Sequence, residues 1–196
     1  MKLSRDQKIQ FQQKIINWYK SYGRDFPWRK TSDPYKILIA EFLLQKTHVR
    51  KVEDVYTCLL SKYPSIEHLA ISDVVEVLDI IKSLGFYNRA ERLTKIAKEI
   101  SGTYSGHIPN EYETLLGFRG IGKYIATAVM VFAFEDKRVI VDTNVIKVFK
   151  YELGYSSEKK RPRTDDNLWV FTQTLAPEKE IREFNWGLLD YGAQLF

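Results

Sequence analysis

One cysteine in 196 residues excludes an intramolecular disulfide and every four-cysteine metal site. That residue, Cys58, falls in a helical pattern between Val55 and Leu59, where a buried, inert thiol is expected. No apolar run approaches ~18 residues, so no membrane-spanning helix is expected. No secretory leader is visible, because Met1-Lys2-Leu3 runs straight into an amphipathic pattern. The expected location is the cytoplasm, on the nucleoid if DNA is the ligand. Low-complexity segments are absent, and the only internal echo is a pair of glycine turns. A GxxxxGK[ST] loop is missing, and no strand precedes the glycines, which removes the P-loop and Rossmann readings.

What is present is a globular composition. Hydrophobic residues make up 44% of the chain, enough for a core and too many for disorder. The length suits one large domain or two small, interdependent ones. A net charge of +5 and a pI near 9.1 permit a polyanionic partner without demanding one.

The most informative stretch is Leu115-Leu116-Gly117-Phe118-Arg119-Gly120-Ile121-Gly122-Lys123-Tyr124-Ile125-Ala126. It reads as two short helices joined by a glycine hairpin. Asn110 with Glu113 is expected to cap the first helix as a capping box. Gly117 is expected to end it in the left-handed conformation. The second helix starts near Lys123 and carries Ile125, Ala128, Val129 and Phe132 at helical spacing. A bare turn that opens a helix offers amides and a positive dipole end to an anion. With nucleotide folds removed, the anion of interest is a nucleic-acid phosphate. Eighteen positions after Tyr124, Asp142 stands before another helix.

The rest of the chain reads as about ten helices. Ser4 and Gln7 form a capping-box pattern for a helix to about Tyr22, with Phe11, Ile15, Trp18 and Tyr19 on one face. Asp33-Pro34 is a cap followed by proline at the first helical position. Trp28 fits two readings, core filler or a face for a flat ligand. Glu41 sits in a nearly all-apolar helix, and periodicity alone favours placing it toward solvent. A second glycine turn, Leu84-Gly85-Phe86-Tyr87-Asn88-Arg89, opens a helix to about Ser101. Val139-Ile140-Val141 is short and extended. Lys159, Lys160, Arg161 and Arg163 make a basic loop that suits solvent as well as DNA. Helices around 166–175 and 177–191 close the pattern.

In this order, several segments resemble the helix-hairpin-helix DNA glycosylases, in particular their MutY-like branch. They are Phe26-Pro27-Trp28-Arg29, Asp33-Pro34-Tyr35, Glu41-Phe42-Leu43-Leu44-Gln45-Lys46-Thr47, the second glycine turn, the hairpin, Val141-Asp142-Thr143-Asn144-Val145, and Phe184-Asn185-Trp186-Gly187-Leu188-Leu189-Asp190-Tyr191-Gly192-Ala193. The resemblance implies an all-α fold of two lobes with the active site in the cleft between them. One lobe would be residues 27–134, with the hairpin at about 109–133. The other would combine 1–26 with 135–196. Double-stranded DNA carrying a mismatched or damaged base would be the partner of a monomer. The target nucleotide would flip out of the stack at a cost of a few kcal/mol.

The same resemblance implies the site. Asp142 would stabilise a sugar of oxocarbenium character, although a plain N-cap explains its position equally well. Glu41 and Tyr124 complete the catalytic set, and Trp28 and Leu44 line the base pocket. Gly120, Ile121, Gly122 and Lys123 would grip phosphate. Gln45 and Lys46 match the turn that fills the hole left by the flipped nucleotide, and Thr47 and Tyr87 would also contact DNA. Lyase members carry a nucleophilic lysine where Tyr124 stands. Lys123 is one residue early, about 100° away around the helix. A monofunctional, water-using enzyme is therefore expected, similar to the thymine glycosylases of the branch that act on G:T mismatches. The family's iron–sulphur cluster begins where Phe196 stands, so neither a cluster nor another resident cofactor is expected. Hairpins of the family often hold a monovalent cation through carbonyls, which leaves that option open. Arg119 replaces the usual hairpin proline. The alternatives are an adenine glycosylase acting opposite guanine or 8-oxoguanine, and a non-catalytic hairpin module that only binds DNA.

Overall fold

The structure, a computed structural model, describes residues 3–85 and 87–195. Phe86 of the second glycine turn, Phe196 at the cluster position, and Met1 and Lys2 lie outside the described residues. Among the described residues every regular element is helical. The chain divides into two compact units, Met1–Asp25 with Glu135–Phe196, and Phe26–Phe134. No helix among the described residues is long and apolar enough to cross a membrane.

The discontinuous unit is built on α1 (Arg5–Tyr22), α9 (Thr143–Leu153), α10 (Asp166–Gln173) and α11 (Ile181–Gln194). α1 opens with the Ser4–Gln7 capping box and buries Phe11, Ile15 and Ile16. It packs on α11 at a glycine. A Cβ at Gly187 would sit 2.8 Å from Ile15 Cγ2 and 2.9 Å from the Ile15 carbonyl, so only glycine permits that approach. Phe11 meets Phe149 and Phe184 with ring centroids 6.2 and 6.0 Å apart. After α1 the chain is tied down by Asp190, whose carboxylate accepts from the Arg24 amide at 2.8 Å and from its guanidinium at 2.6 and 2.9 Å. α11 begins later than the sequence pattern suggests, because Glu180 takes a left-handed conformation as its N-cap.

The continuous unit holds α2 (Pro34–Leu44), α3 (Val52–Lys62), α4 (Ile66–Ala70), α5 (Val74–Ile81), α6 (Asn88–Thr103), α7 (Tyr112–Gly117) and α8 (Lys123–Phe134). α2 is capped by the Asp33 carboxylate, which accepts from the amides of Tyr35 and Lys36. It is buried from Ile37 through Leu43 and packs on α8, which is itself buried from Ile125 through Phe132. Cys58 is exposed, contrary to the sequence expectation. α3 buries Val52, Tyr56 and Leu59, and at ~100° per residue Cys58 falls off that stripe.

Candidate active site

The hairpin forms with different chemistry at its first helix. Glu111, not Asn110, is the N-cap of α7, and no side chain caps it. Gly117 stays helical and Phe118 ends the helix in extended conformation. The left-handed residue is Gly120, at φ +113°. Phe118 to Ile121 is a β-turn closed by the Ile121 amide donating to the Phe118 carbonyl at 3.0 Å. Positive φ at the third residue, with a proline-tolerant second position, is the type II pattern. Arg119 occupies that second position.

The turn sorts the residues expected to grip phosphate. Ile121 is buried and its amide is used inside the turn, so neither part of it is available to an anion. Gly120 and Gly122 remain, and among the described residues no hydrogen bond engages their amides. A Cβ on Gly122 would meet nothing within 4 Å. Lys123 is exposed at the start of α8, while Tyr124 beside it is half-buried. The two side chains are thus turned to different surroundings.

α2 delivers Glu41 into the same unit, only 4% exposed. The preference for solvent drawn from periodicity is therefore wrong: α2 has no solvent face between Ile37 and Leu43. Leu44 is half-buried at the helix end. Trp28 is 6% exposed, with Phe26 stacked at 4.9 Å and 11° and Tyr56 edge-on at 5.4 Å. Its ring packs between these two neighbours within this unit. Gln45, Lys46 and Thr47 form the turn after α2, with Lys46 left-handed at φ +52°. Tyr87, at the start of α6, is 68% exposed.

Asp142 belongs to the other unit. It is the N-cap of α9, and its carboxylate accepts from the Val145 amide at 2.8 Å. Burial pushes its carboxyl above the ordinary aspartate range. The amides of Val145 and Asn144, and then the charges of Arg163 and Lys147, pull it back only in part. Ionising this group costs more than for a plain surface cap, which marks sites where charge has a task.

Residues not singled out in the sequence hold Asp142 in place. The segment before it, Val139 to Val141, belongs to no regular element, and among the described residues no strand pairs with it. Side-chain amides replace one. Gln173 accepts from the Val139 amide at 2.9 Å and donates to the Val139 carbonyl at 3.1 Å. Asn185, fully buried, accepts from the Ile140 amide at 2.9 Å and donates to the Arg138 carbonyl at 3.0 Å. Behind the first turn of α9, a Cβ on Gly192 would lie 2.4 Å from the Asn144 carbonyl oxygen. For Asn185 and Gly192 the only sequence signal was membership of the last helical motif, which says nothing of their partners; Gln173 had none.

Residues 39–173 match the family described as HhH-GPD superfamily base excision DNA repair protein. The chain belongs to that superfamily. This HhH-GPD chain is 39% identical over 186 residues to a thymine-DNA glycosylase of Aeropyrum pernix, covering 93% of itself and 83% of that protein. It is 39% identical over 189 residues to a thymine/uracil-DNA glycosylase of Pyrobaculum aerophilum, covering 94% and 82%. Its fold matches the solved structure of a thermostable thymine-DNA glycosylase with a TM-score of 0.90 at 35% identity, over 96% of this chain and 87% of that one. An adenine DNA glycosylase of Buchnera aphidicola is 34% identical, with 93% of this chain but only 52% of that protein aligned. The HhH-GPD chain is therefore an enzyme, a DNA glycosylase of base excision repair.

Proposed function

We propose that this glycosylase is monofunctional and removes thymine, or uracil, opposite guanine in double-stranded DNA, leaving the strand intact. The observation that carries the reading is Asp142, a carboxylate fixed by the Val145 amide and made costly to ionise by burial. A surface cap needs no such environment, whereas an anion meant to face a developing cation does. The pyrimidine choice is supported by the names of the relatives aligned over most of their length and by tyrosine at position 124.

The roles follow from the chemistry of the bond. A target base inside the helical stack cannot be reached, so the nucleotide must be everted, and a mismatched base resists this least. The amides of Gly120 and Gly122, with Lys123, would seat on a phosphate. Gln45, Lys46, Thr47 and Tyr87 would occupy the vacated stack. As the C1′–N1 bond lengthens, positive charge grows on the sugar and the electron pair leaves with the base. The ionised Asp142 stabilises that charge and orients a water, whose oxygen bonds to C1′ and whose proton passes to Asp142 or solvent. Glu41 would hydrogen-bond the departing base, directly or through water, with Tyr124 and Leu44 as walls. Tyrosine at 124 has no amine to form a Schiff base, so the abasic sugar stays unbroken.

We propose in addition that the hairpin carbonyls can hold a monovalent cation. The carbonyls of Leu115 and Phe118 each accept one turn bond and keep a second lone pair. Such an ion would supply positive charge toward a phosphate. Among the described residues no group of three His, Cys, Asp or Glu side chains is placed to hold a metal. The enzyme would act as a monomer on cytoplasmic DNA. The test is a panel of labelled duplexes with T:G, U:G, A:G, A:8-oxoguanine or damaged pyrimidines, assayed for free base with and without alkali.

A further inference from the structure

The strongest polar cluster outside the roles above surrounds Arg89. This side chain is 3% exposed in the first turn of α6. One guanidinium nitrogen donates to the Leu43 carbonyl at 2.7 Å. Another donates to the Gln45 carbonyl at 2.8 Å and to Thr47 Oγ1 at 3.1 Å. The Thr47 hydroxyl also donates to the Gln45 carbonyl at 3.1 Å, and its amide to the Leu44 carbonyl at 3.2 Å.

Two of these acceptors, the carbonyls of Leu43 and Gln45, lie at the C-terminal end of α2, where helices leave carbonyls unsatisfied and welcome positive charge. A glycine cap would meet the same need without burying a guanidinium, which is expensive. Instead the turn carries Lys46 in left-handed conformation, φ +52°, a strained state that persists only where the surroundings over-determine it. The planar fork of Arg89 supplies that determination, because three acceptors in fixed directions suit a guanidinium and not an ammonium. Arg89 follows Tyr87 by two residues. One buried side chain therefore locks the Gln45–Thr47 turn to the turn that carries Tyr87.

We propose that Arg89 is the positioning residue for base extrusion: it holds the two DNA-facing turns as one rigid wedge that fills the emptied place in the stack. It acts through Gln45, Lys46 and Tyr87 and takes no part in bond cleavage. The inference rests on the glycosylase reading above.

The test separates extrusion from chemistry. Wild type, Arg89→Met and Arg89→Lys are compared in single-turnover excision of uracil opposite guanine in a duplex, and of uracil in a single strand of the same sequence, which needs no extrusion. In parallel, 2-aminopurine beside the target reports unstacking when protein binds. Arg89→Met is expected to lose at least tenfold on the duplex and less than threefold on the single strand, and to lose most of the fluorescence rise at saturating protein. Arg89→Lys is expected to fall between, and it decides the matter if Arg89→Met melts early. Equal losses on both substrates, or a full fluorescence rise in the variants, would overturn the proposal. The fluorescence arm decides alone if wild type ignores single strands. A wild type that releases neither thymine nor uracil from the duplex, yet whose fluorescence rise depends on Arg89, would sink the glycosylase reading and leave the wedge standing.

Discussion

Replacing Asp142 by asparagine should leave the fold alone and stop the chemistry. The Val145 amide donates to one carboxylate oxygen at 2.8 Å, and an asparagine carbonyl accepts the same bond, since Asn and Asp cap about equally well. Burial raises the Asp142 carboxyl's pKa, so a neutral amide removes a cost. The melting temperature of Asp142→Asn should stay within about 1 °C of wild type or rise slightly. Asp142→Ala loses the cap, roughly 1 kcal/mol, and should melt about 2–4 °C lower in a chain of this size. In single-turnover assays both should lose at least about a hundredfold, ~2.7 kcal/mol of barrier. The pH dependence has a definite sign. The folded chain holds the Asp142 proton more tightly than the unfolded chain does. Its contribution to stability therefore falls as pH rises from the ordinary aspartate value through the raised one. Activity runs the other way, because the ionised form is needed. The acid limb of the rate should have its midpoint above the ordinary aspartate range and should be absent from any residual activity of Asp142→Asn. An asparagine variant that cuts at the wild-type rate would refute the catalytic role and leave only the cap.

Three further outcomes follow from the same geometry. Borohydride trapping on abasic or mismatched duplex should give no covalent adduct with wild type, because Tyr124 offers no amine and Lys123 is turned elsewhere; a trapped adduct would contradict the monofunctional reading. Asn185→Leu leaves the Ile140 amide and the Arg138 carbonyl without their side-chain partner, at about 1–3 kcal/mol each. It should lower the melting temperature by roughly 4–24 °C and slow excision, while duplex affinity, proposed above to rest on hairpin residues of the other unit, stays near wild type in a gel-shift assay. Arg119→Pro presets the second position of the hairpin turn. The Arg119 amide makes no hydrogen bond among the described residues. The change should raise stability by about 0.4–1 kcal/mol, read as a small rise in denaturation midpoint.

Where local chemistry decides, the sequence was legible. The Ser4–Gln7 box, the Asp33-Pro34 start, the opening of α8 at Lys123 and the Asp142 cap all rest on contacts within a few residues, and each formed. Most errors came where distant packing decides, and two, at Asn110 and Gly117, where backbone angles at a helix end do. Cys58 and Glu41 exchanged their expected surroundings because which faces of α3 and α2 are covered depends on other helices. Glu111 replaced Asn110 as a cap because two candidates one residue apart differ only in backbone angles. The ties that hold Asp142, from Gln173, Asn185 and Gly192, span dozens of positions and leave no periodic trace. The same holds for Arg89, more than forty residues from the turn it grips.

The most direct test is to incubate the purified protein with a T:G duplex, then measure free base by mass spectrometry and strand integrity before and after alkali. Free thymine, with breaks appearing only after alkali, is the predicted result. Release of adenine from A:G or A:8-oxoguanine with none of thymine or uracil, or no base from any duplex, would contradict the account.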